Sequence, residues 1–327
     1  MTRTQPDATA HVALAHGVEF DLVRAMLARW GDIAKGIGDD AAEIHVPPSQ
    51  PLVVSTDTSV EGVHFRMPWI TPAEIGYRAT ATALSDLAAM AATPLGLTVA
   101  ITLPDSWRTR LGEIADGIGA AARDSATPIV GGDLVAGPTL SLTITVFGCG
   151  ATLLRRSAAR PGDAVWVTGL FGGPGLALAA WMQGRAPVAE HRARFAHPVP
   201  RLREAQWLAQ HGATAAIDCS DGLAADAGHI AAASNVRLEI DLNQLPIVAH
   251  SSADDAIRGG EEYELIVTGP ESLDAQAFVK SFGVALTRIG GVVEAARSLV
   301  GGVSSGVTLH RGGRPVPAVG GFEHFRP

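Results

Sequence analysis

The sequence predicts an α/β (α+β) fold class built as two mixed α/β domains, and three observations carry that expectation. At 327 residues the chain is long for a single hydrophobic core and comfortable for two. Helical and strand periodicities alternate along its whole length, with no short repeat. Composition breaks at Gly148-Cys149-Gly150, and Arg160-Pro-Gly-Asp163 then marks a turn, which sets a boundary near residue 150. The expected organisation is a loose tail over 1–16, an N-terminal domain over 17–149 and a C-terminal domain over 150–327. Hydrophobic residues make up 47% and aromatics only 5%, so small aliphatic side chains must fill the cores.

In the first half, Glu19–Trp30 carries Phe20, Val23, Met26, Leu27 and Trp30 at helical spacing. Ala41–Val46 and Leu52–Thr56 read as short strands flanking Pro47-Pro48, the second running into Ser55-Thr-Asp-Thr58. Thr71-Pro72-Ala73-Glu74 has the cap, first-turn proline and third-position acid of a helix start, opening a small-residue helix to about Ala92. Strand Leu95–Leu103, helix Ser106–Arg123, strand Pro128–Val130 and the alternating strand Thr139–Phe147 follow.

The second half opens with strand Val165–Thr168, a Gly-rich turn over Gly169–Gly175, and helices Leu176–Met182 and Pro200–Gln210. Strand Ala215–Ile217 runs into Asp218-Cys-Ser-Asp-Gly222, and a helix continues to about Ala233. Strand Arg237–Leu242, a short helix near Ser251–Ile257, strand Tyr263–Thr268, helix Leu273–Phe282, strand Thr287–Val293 and a Gly-rich hairpin around 300–315 complete the chain.

A net charge of -8 argues against a nucleic-acid or anionic-membrane surface, and with Lys35 and Lys280 the only lysines a phosphate-binding lysine is not expected. The apolar stretch Ala79–Leu103 contains Asp86 and Pro94 and reads as a buried helix plus strand, not a membrane span. Residues 1–16 lack the pattern of a signal peptide, and Cys149 and Cys219 stand in no metal-ligand spacing, so a reduced, cytoplasmic protein is expected.

No Gly-x-x-x-x-Gly-Lys-Ser/Thr loop is present. Gly36-Ile-Gly-Asp-Asp-Ala41 fits a dinucleotide fingerprint by letter, but Asp39 and Asp40 would repel a pyrophosphate. Asp39, Asp40, Asp57, Asp86, Asp133, Asp218 and Asp221 instead stand among Gly, Ser, Thr and other small residues, where a carboxylate is presented without bulky neighbours. Any one of them alone reads as a turn or cap residue. Together they read as a magnesium pocket, since magnesium takes one or two carboxylates and completes its shell with waters and substrate phosphates.

Gly36-Ile-Gly-Asp-Asp-Ala-Ala42, Ser55-Thr-Asp-Thr58, Val60-Glu-Gly-Val-His-Phe65, Leu84-Ser-Asp-Leu-Ala-Ala-Met90, Gly131-Gly-Asp133, Arg156-Ser157, Ile217-Asp-Cys-Ser-Asp-Gly222, Gly259-Gly-Glu-Glu-Tyr-Glu-Leu265 and Gly321-Phe-Glu-His-Phe325 resemble, in this order, the thiamine-monophosphate kinases of the aminoimidazole-ribonucleotide-synthetase-like superfamily. The resemblance implies ATP-dependent phosphorylation of thiamine monophosphate to thiamine diphosphate by direct in-line transfer, with several Mg2+ ions. It implies a homodimer in which N-terminal strands of both subunits form a shared β-barrel. It implies magnesium ligands at Asp40, Ser55, Thr56, Asp57, Asp86, Asp133, Asp218 and Asp221, with Asp40, Asp57 and Asp221 counted as catalytic. ATP contacts fall on Gly132, Arg156 and Ser220, and thiamine-phosphate contacts on His64, Glu261 and Phe322; the role of Asp39 stays open.

Read without the family, Arg156 is more often a solvated surface charge, His64 is equally a packed histidine, and Phe322 reads as a tail aromatic docked on the core. The chain departs from the family pattern at Leu134-Val-Ala136 after the Gly-Gly-Asp, at Glu262 for Asp, at Phe322 and Glu323 for Tyr and Asp, and at Ala83 for Asn. The alternatives are a sister ATP-dependent enzyme of the superfamily and a non-catalytic homologue that binds thiamine phosphate or nucleotide.

Overall fold

A computed structural model of the chain describes residues 11, 14, 17–298, 302–304 and 306–317. The fold is mixed α/β with two main sheets, in two compact units: Met1–Leu87 with Thr93–Ala151, and Ala88–Ala92 with Thr152–Pro327.

The first unit contains α1 (Val18–Trp30), β1 (Leu52–Val60), α2 (Pro72–Ala89), β2 (Thr93–Leu103), α3 (Leu111–Asp124), β3 (Ile129–Ala136) and β4 (Ser141–Cys149). Its sheet has the order β1-β4-β2-β3, antiparallel except for the β2–β3 pair. Leu142, Ile144 and Val146 alternate inward along β4 and are fully buried. The cap of α2 forms as the sequence predicts: Thr71 N donates to Glu74 Oε2 (2.7 Å) and Glu74 N donates to Thr71 Oγ1 (3.2 Å). Helices α2 and α3 cross backbone to backbone. A Cβ on Gly76 would lie 2.1 Å from the Ile114 carbonyl oxygen, and one on Gly117 1.8 Å from that of Ala73. Trp30 closes α1 onto α3 through Nε1, which donates to Ala115 O at 2.9 Å.

Three expectations are corrected here. Residues 41–46 form no strand; the segment is largely exposed and has no ladder partner, so its alternation has nothing to pair with. The expected helix 106–123 begins as a 3-10 segment, Asp105–Arg110, after Pro104, and α-helical geometry starts at Leu111. Strand β3 does not stop at Val130 but runs on through Gly131-Gly-Asp133 to Ala136, because β2 supplies a parallel partner for every residue from Gly131 onward.

The second unit contains β5 (Ala164–Thr168), α4 (Gly173–Met182), α5 (Ala189–Ala196), α6 (Leu202–Gln210), β6 (Ala215–Asp218), α7 (Leu223–Ser234), β7 (Val236–Asp241), α8 (Ala253–Arg258), β8 (Leu265–Gly269), α9 (Ala275–Phe282), β9 (Leu286–Glu294), β10 (Ala296–Ser298), β11 (Gly302–Ser304), β12 (Gly306–Arg311) and β13 (Arg314–Val316). Seven of these strands form one sheet in the order β13-β12-β7-β9-β5-β8-β6, with β12–β7 its parallel pair. Central strands β5 and β8 are buried at every residue, whereas β7 alternates. Helix α7 covers one face, packing Leu223, Ala227, Ile230 and Ala231 with Val167, Ile217, Leu238, Ile240, Ile266 and Ile289. Among the described residues neither main sheet closes into a barrel.

Candidate functional site

In the first unit, β1 and α2 bring three of the expected ligands together. Alternation along β1 turns Ser55 and Asp57 to the α2 side, and Thr82 and Asp86 stand one turn apart on α2. Ser55 Oγ donates to Asp86 Oδ2 at 2.5 Å, and Thr82 Oγ1 donates to Asp57 Oδ2 at 2.8 Å. Each carboxylate is thus oriented by a hydroxyl, in a charge-assisted bond.

Thr56 faces the other way, its hydroxyl paired with that of Thr145 at 2.9 Å, as Thr58 is with Thr143. Asp133 shares the register row Thr58–Thr143–Ala100–Asp133, on the face opposite Asp57, and its Oδ1 accepts from Leu134 N at 3.0 Å. Gly132 precedes it where a Cβ would lie 2.0 Å from Val99 O, so only glycine fits between the strands. Asp39 and Asp40 are exposed in a turn in which Asp40 N donates to Asp39 Oδ1 at 2.9 Å. His64 folds back on its own turn: Nδ1 accepts from Val60 N at 3.0 Å, which leaves the proton of the neutral ring on Nε2.

In the second unit, Asp218 ends β6, is 5% exposed, and leads into the Cys219–Gly222 turn. Asp221 N and Gly222 N both donate to Asp226 Oδ2, at 3.0 Å each, so a carboxylate in the first turn of α7 holds the turn in shape. Gly222 adopts φ 121, which a side chain would disfavour. Burial pushes Asp226 up to about 6, against the N–H bonds from Asp221 and Gly222 that favour its charge. Burial also pushes the Cys219 thiol well above its ordinary value, which makes it an inert packing residue.

Glu261 N donates to Ser220 O at 2.7 Å, and Tyr263 Oη donates to Glu261 Oε2 at 2.7 Å. Glu261 and Tyr263 both have positive φ, 70 and 53. Arg156 is exposed, with its carbonyl accepting from Ser234 Oγ at 2.6 Å. Phe322 lies outside the described residues.

Among the described residues no three His, Cys, Asp or Glu side chains converge as a ready-made metal cluster. The donors present are nonetheless the hard hydroxyl and carboxylate oxygens that suit magnesium, which leaves much of its shell to water and substrate. Sequence reasoning did not find Thr82, which orients Asp57, although it stands four residues before Asp86 on a predicted helix. It also missed Asp226, four residues after Gly222, and the buried group formed by Arg194, Arg201, Glu262 and Glu264. In that group Glu264 accepts from Thr168 Oγ1 (2.8 Å), Arg201 Nε (2.8 Å) and Arg201 Nη2 (2.6 Å), with Arg194 Nη2 at 3.4 Å.

Two family models match the chain: AIR synthase related protein, N-terminal domain, over residues 38–152, and AIR synthase related protein, C-terminal domain, over residues 160–301. The thiamine-monophosphate kinase of Salmonella typhimurium is 40% identical over 291 residues, 83% of this chain and 87% of that protein. The chain belongs to the thiamine-monophosphate kinase family. A crystal structure of thiamine-monophosphate kinase from Stenotrophomonas maltophilia K279a is 37% identical, with a TM-score of 0.77, covering 93% of this chain and 98% of that one. AaThiL complexed with AMPPCP and TMP is 26% identical, with a TM-score of 0.74, covering 94% of this chain and 96% of that one. Within the family pattern, three departures of this chain are buried among the described residues: Ala83 on α2 is fully enclosed, Leu134 on β3 is 7% exposed, and Glu262 is 5% exposed.

Proposed function

We propose that the chain transfers the γ-phosphate of ATP directly to thiamine monophosphate, giving thiamine diphosphate and ADP. The observation that carries this reading is a solved relative that holds AMPPCP and TMP together on the fold this chain adopts. Both reactants are anions, so their approach is opposed by charge, and in a chain of net charge -8 with only two lysines no phosphate-binding lysine is at hand to offset it. The hydroxyl and carboxylate donors are suited to magnesium, which when bound screens the phosphates and aligns them for in-line displacement.

Asp40, Ser55, Thr56, Asp57, Asp86, Asp133, Asp218 and Asp221 are the proposed holders of the ions. The Thr56 hydroxyl is paired with that of Thr145 and keeps a lone pair beyond that bond, so it and the main chain of Thr56 are both available to an ion. Gly132, Arg156 and Ser220 are proposed to contact ATP, with Arg156 presenting a planar fork to phosphate oxygens. His64, through its Nε2 proton, Glu261 and Phe322 are proposed to contact thiamine monophosphate. The accepting phosphate oxygen is already ionised near neutral pH, so no general base is assigned, and positioning carries the rate. We further propose an N-terminal domain over 17–149 that binds ATP and magnesium, a C-terminal domain over 150–327, a homodimer joined through a β-barrel of N-terminal strands, and a cytoplasmic location. Among the described residues no helix is long and apolar enough to cross a membrane.

The test is incubation of purified protein with ATP, thiamine monophosphate and magnesium, with chromatography for thiamine diphosphate. Stoichiometric product and ADP are expected; no product at any magnesium concentration would overturn the reading.

A further inference from the structure

The Gly259–Tyr263 loop is gripped from two sides within the second unit. On one side it follows the Asp218–Gly222 turn: Glu261 N donates to Ser220 O (2.7 Å), and Glu262 N and Tyr263 N both donate to Cys219 O (3.1 and 2.9 Å). On the other it meets the Gly169–Gly175 turn, where a Cβ on Gly175 would lie 2.9 Å from the Gly259 Cα. The side-chain link on that side is Glu262, whose Oε1 accepts from Gly172 N at 2.5 Å. Its side chain is wholly buried, and Oε2 has no hydrogen-bond partner.

Two residues that flank Glu262, Glu261 and Tyr263, are held at positive φ, a strained conformation for non-glycine residues that persists only where the surroundings enforce it. The Asp218–Gly222 turn is fixed separately by Asp226 and by the pairing of β6 with β8. Loosening Glu262 therefore falls on the loop and not on that turn.

We infer that Glu262 is a positioning residue, pinning the Gly259–Tyr263 loop to the Gly169–Gly175 turn so that the Glu261 carboxylate, oriented by Tyr263, is set for the thiamine-phosphate substrate. This rests on the reading of Glu261 as a substrate contact. The groups facing Glu262 are Arg194 on α5, its Nη2 4.0 Å from Oε2, Glu264 at the start of β8, Glu261 on its own loop and Cys219 after β6. Burial outweighs the Gly172 N–H and Arg194 and pushes the Glu262 carboxyl up to about 8, so near neutrality its role is that of a neutral acceptor. Arg194 is engaged elsewhere, with Nη2 bonding Leu170 O and Glu264.

The test compares Glu262→Met, which fills the volume without an acceptor, and Glu262→Gln, which keeps a carbonyl for Gly172 N, by steady-state kinetics with both substrates varied. Glu262→Met should raise KM for thiamine monophosphate about tenfold while KM for ATP and kcat stay within about twofold, the size expected for one lost buried hydrogen bond. Glu262→Gln should restore KM. Unchanged KM in Glu262→Met, or equal rises for both substrates, would overturn the inference. A tenfold rise in Glu262→Gln would do so even if the methionine variant does not fold. Glu261→Gln separates the two levels: if it leaves KM for thiamine monophosphate unchanged, the substrate assignment of Glu261 fails, whereas a raised KM there with a silent Glu262→Met refutes the positioning role alone.

Discussion

Replacing Glu264 by alanine should be among the most damaging single changes in the second unit. Glu264 is 2% exposed and receives two bonds from Arg201 and one from Thr168, with Arg194 close by. Its removal strands the Arg201 guanidinium, whose side chain is 13% exposed, beside Glu204 alone at 3.6 Å. Breaking a buried ion pair from one side costs about 3–5 kcal/mol, and the surviving Glu204 contact places the expected loss near the lower end, about 3 kcal/mol. For a unit of about 150–250 residues each kcal/mol shifts the melting temperature by about 2–4 °C, so Glu264→Ala should melt about 6–12 °C below the parent in scanning calorimetry. Removing both partners with apolar residues, Glu264→Leu with Arg201→Met, should recover part of that loss, since the Arg201 guanidinium is no longer stranded, while Glu204, its side chain 12% exposed, loses its ion pair with Arg201. A melting temperature of Glu264→Ala within about 2 °C of the parent, or a double variant no better than the single one, would refute the reasoning.

Further outcomes follow from the same geometry. Asp57→Asn should lower kcat by at least about 100-fold with an unchanged circular dichroism spectrum, because the hydroxyl of Thr82 still has an oxygen to bond while the charge is gone; full activity would remove Asp57 from the site. Gly117→Ala should destabilise by more than about 2 kcal/mol in urea titration, although helix propensity alone favours alanine by about 1 kcal/mol, because its Cβ would sit 1.8 Å from Ala73 O. The folded Glu262 carboxyl is raised from 4.5 to about 8, so its contribution to stability is fully present below pH 4.5 and is lost as pH rises through 8. The melting temperature of the parent should accordingly fall over that window relative to Glu262→Gln, which does not titrate there. Thr71→Ala should cost about 1 kcal/mol by loss of the α2 cap, measured in the same titration.

Much of the fold was legible because local chemistry and tertiary structure agree. Thr71-Pro72-Ala73-Glu74 announces α2, and the alternation of β4 survives as a buried and a polar face. What was not legible depends on partners distant in sequence. Ala41–Val46 alternates like a strand but finds no ladder, and Gly131-Gly132 looks like a turn yet continues β3 because Val99 approaches its backbone. Helix α5 has few apolar residues, and sequence reasoning passed over it; its His191, Phe195 and Ala196 are nevertheless buried. The acidic positions of the candidate site could be picked out as motifs, and the pairing of Ser55 with Asp86 could not, since it arises from the packing of β1 on α2. The faces taken by Thr56 and Asp133 likewise follow from sheet register, which no motif records.

Helix α2 is enclosed over eight consecutive residues, Arg78–Ser85, so it has no solvent face in its middle. Amide protons there exchange with solvent only when the surrounding structure opens as a whole, and their exchange rates report the global opening free energy. Thr82, which holds the β1 side chain Asp57, therefore belongs to the part of this unit that opens last, and Asp86, which holds Ser55, follows directly after the enclosed run. Deuterium uptake along Arg78–Ser85 should consequently lag that of the exposed Asp39–Asp40 turn by orders of magnitude, separating a slow wall of the candidate site from a fast one.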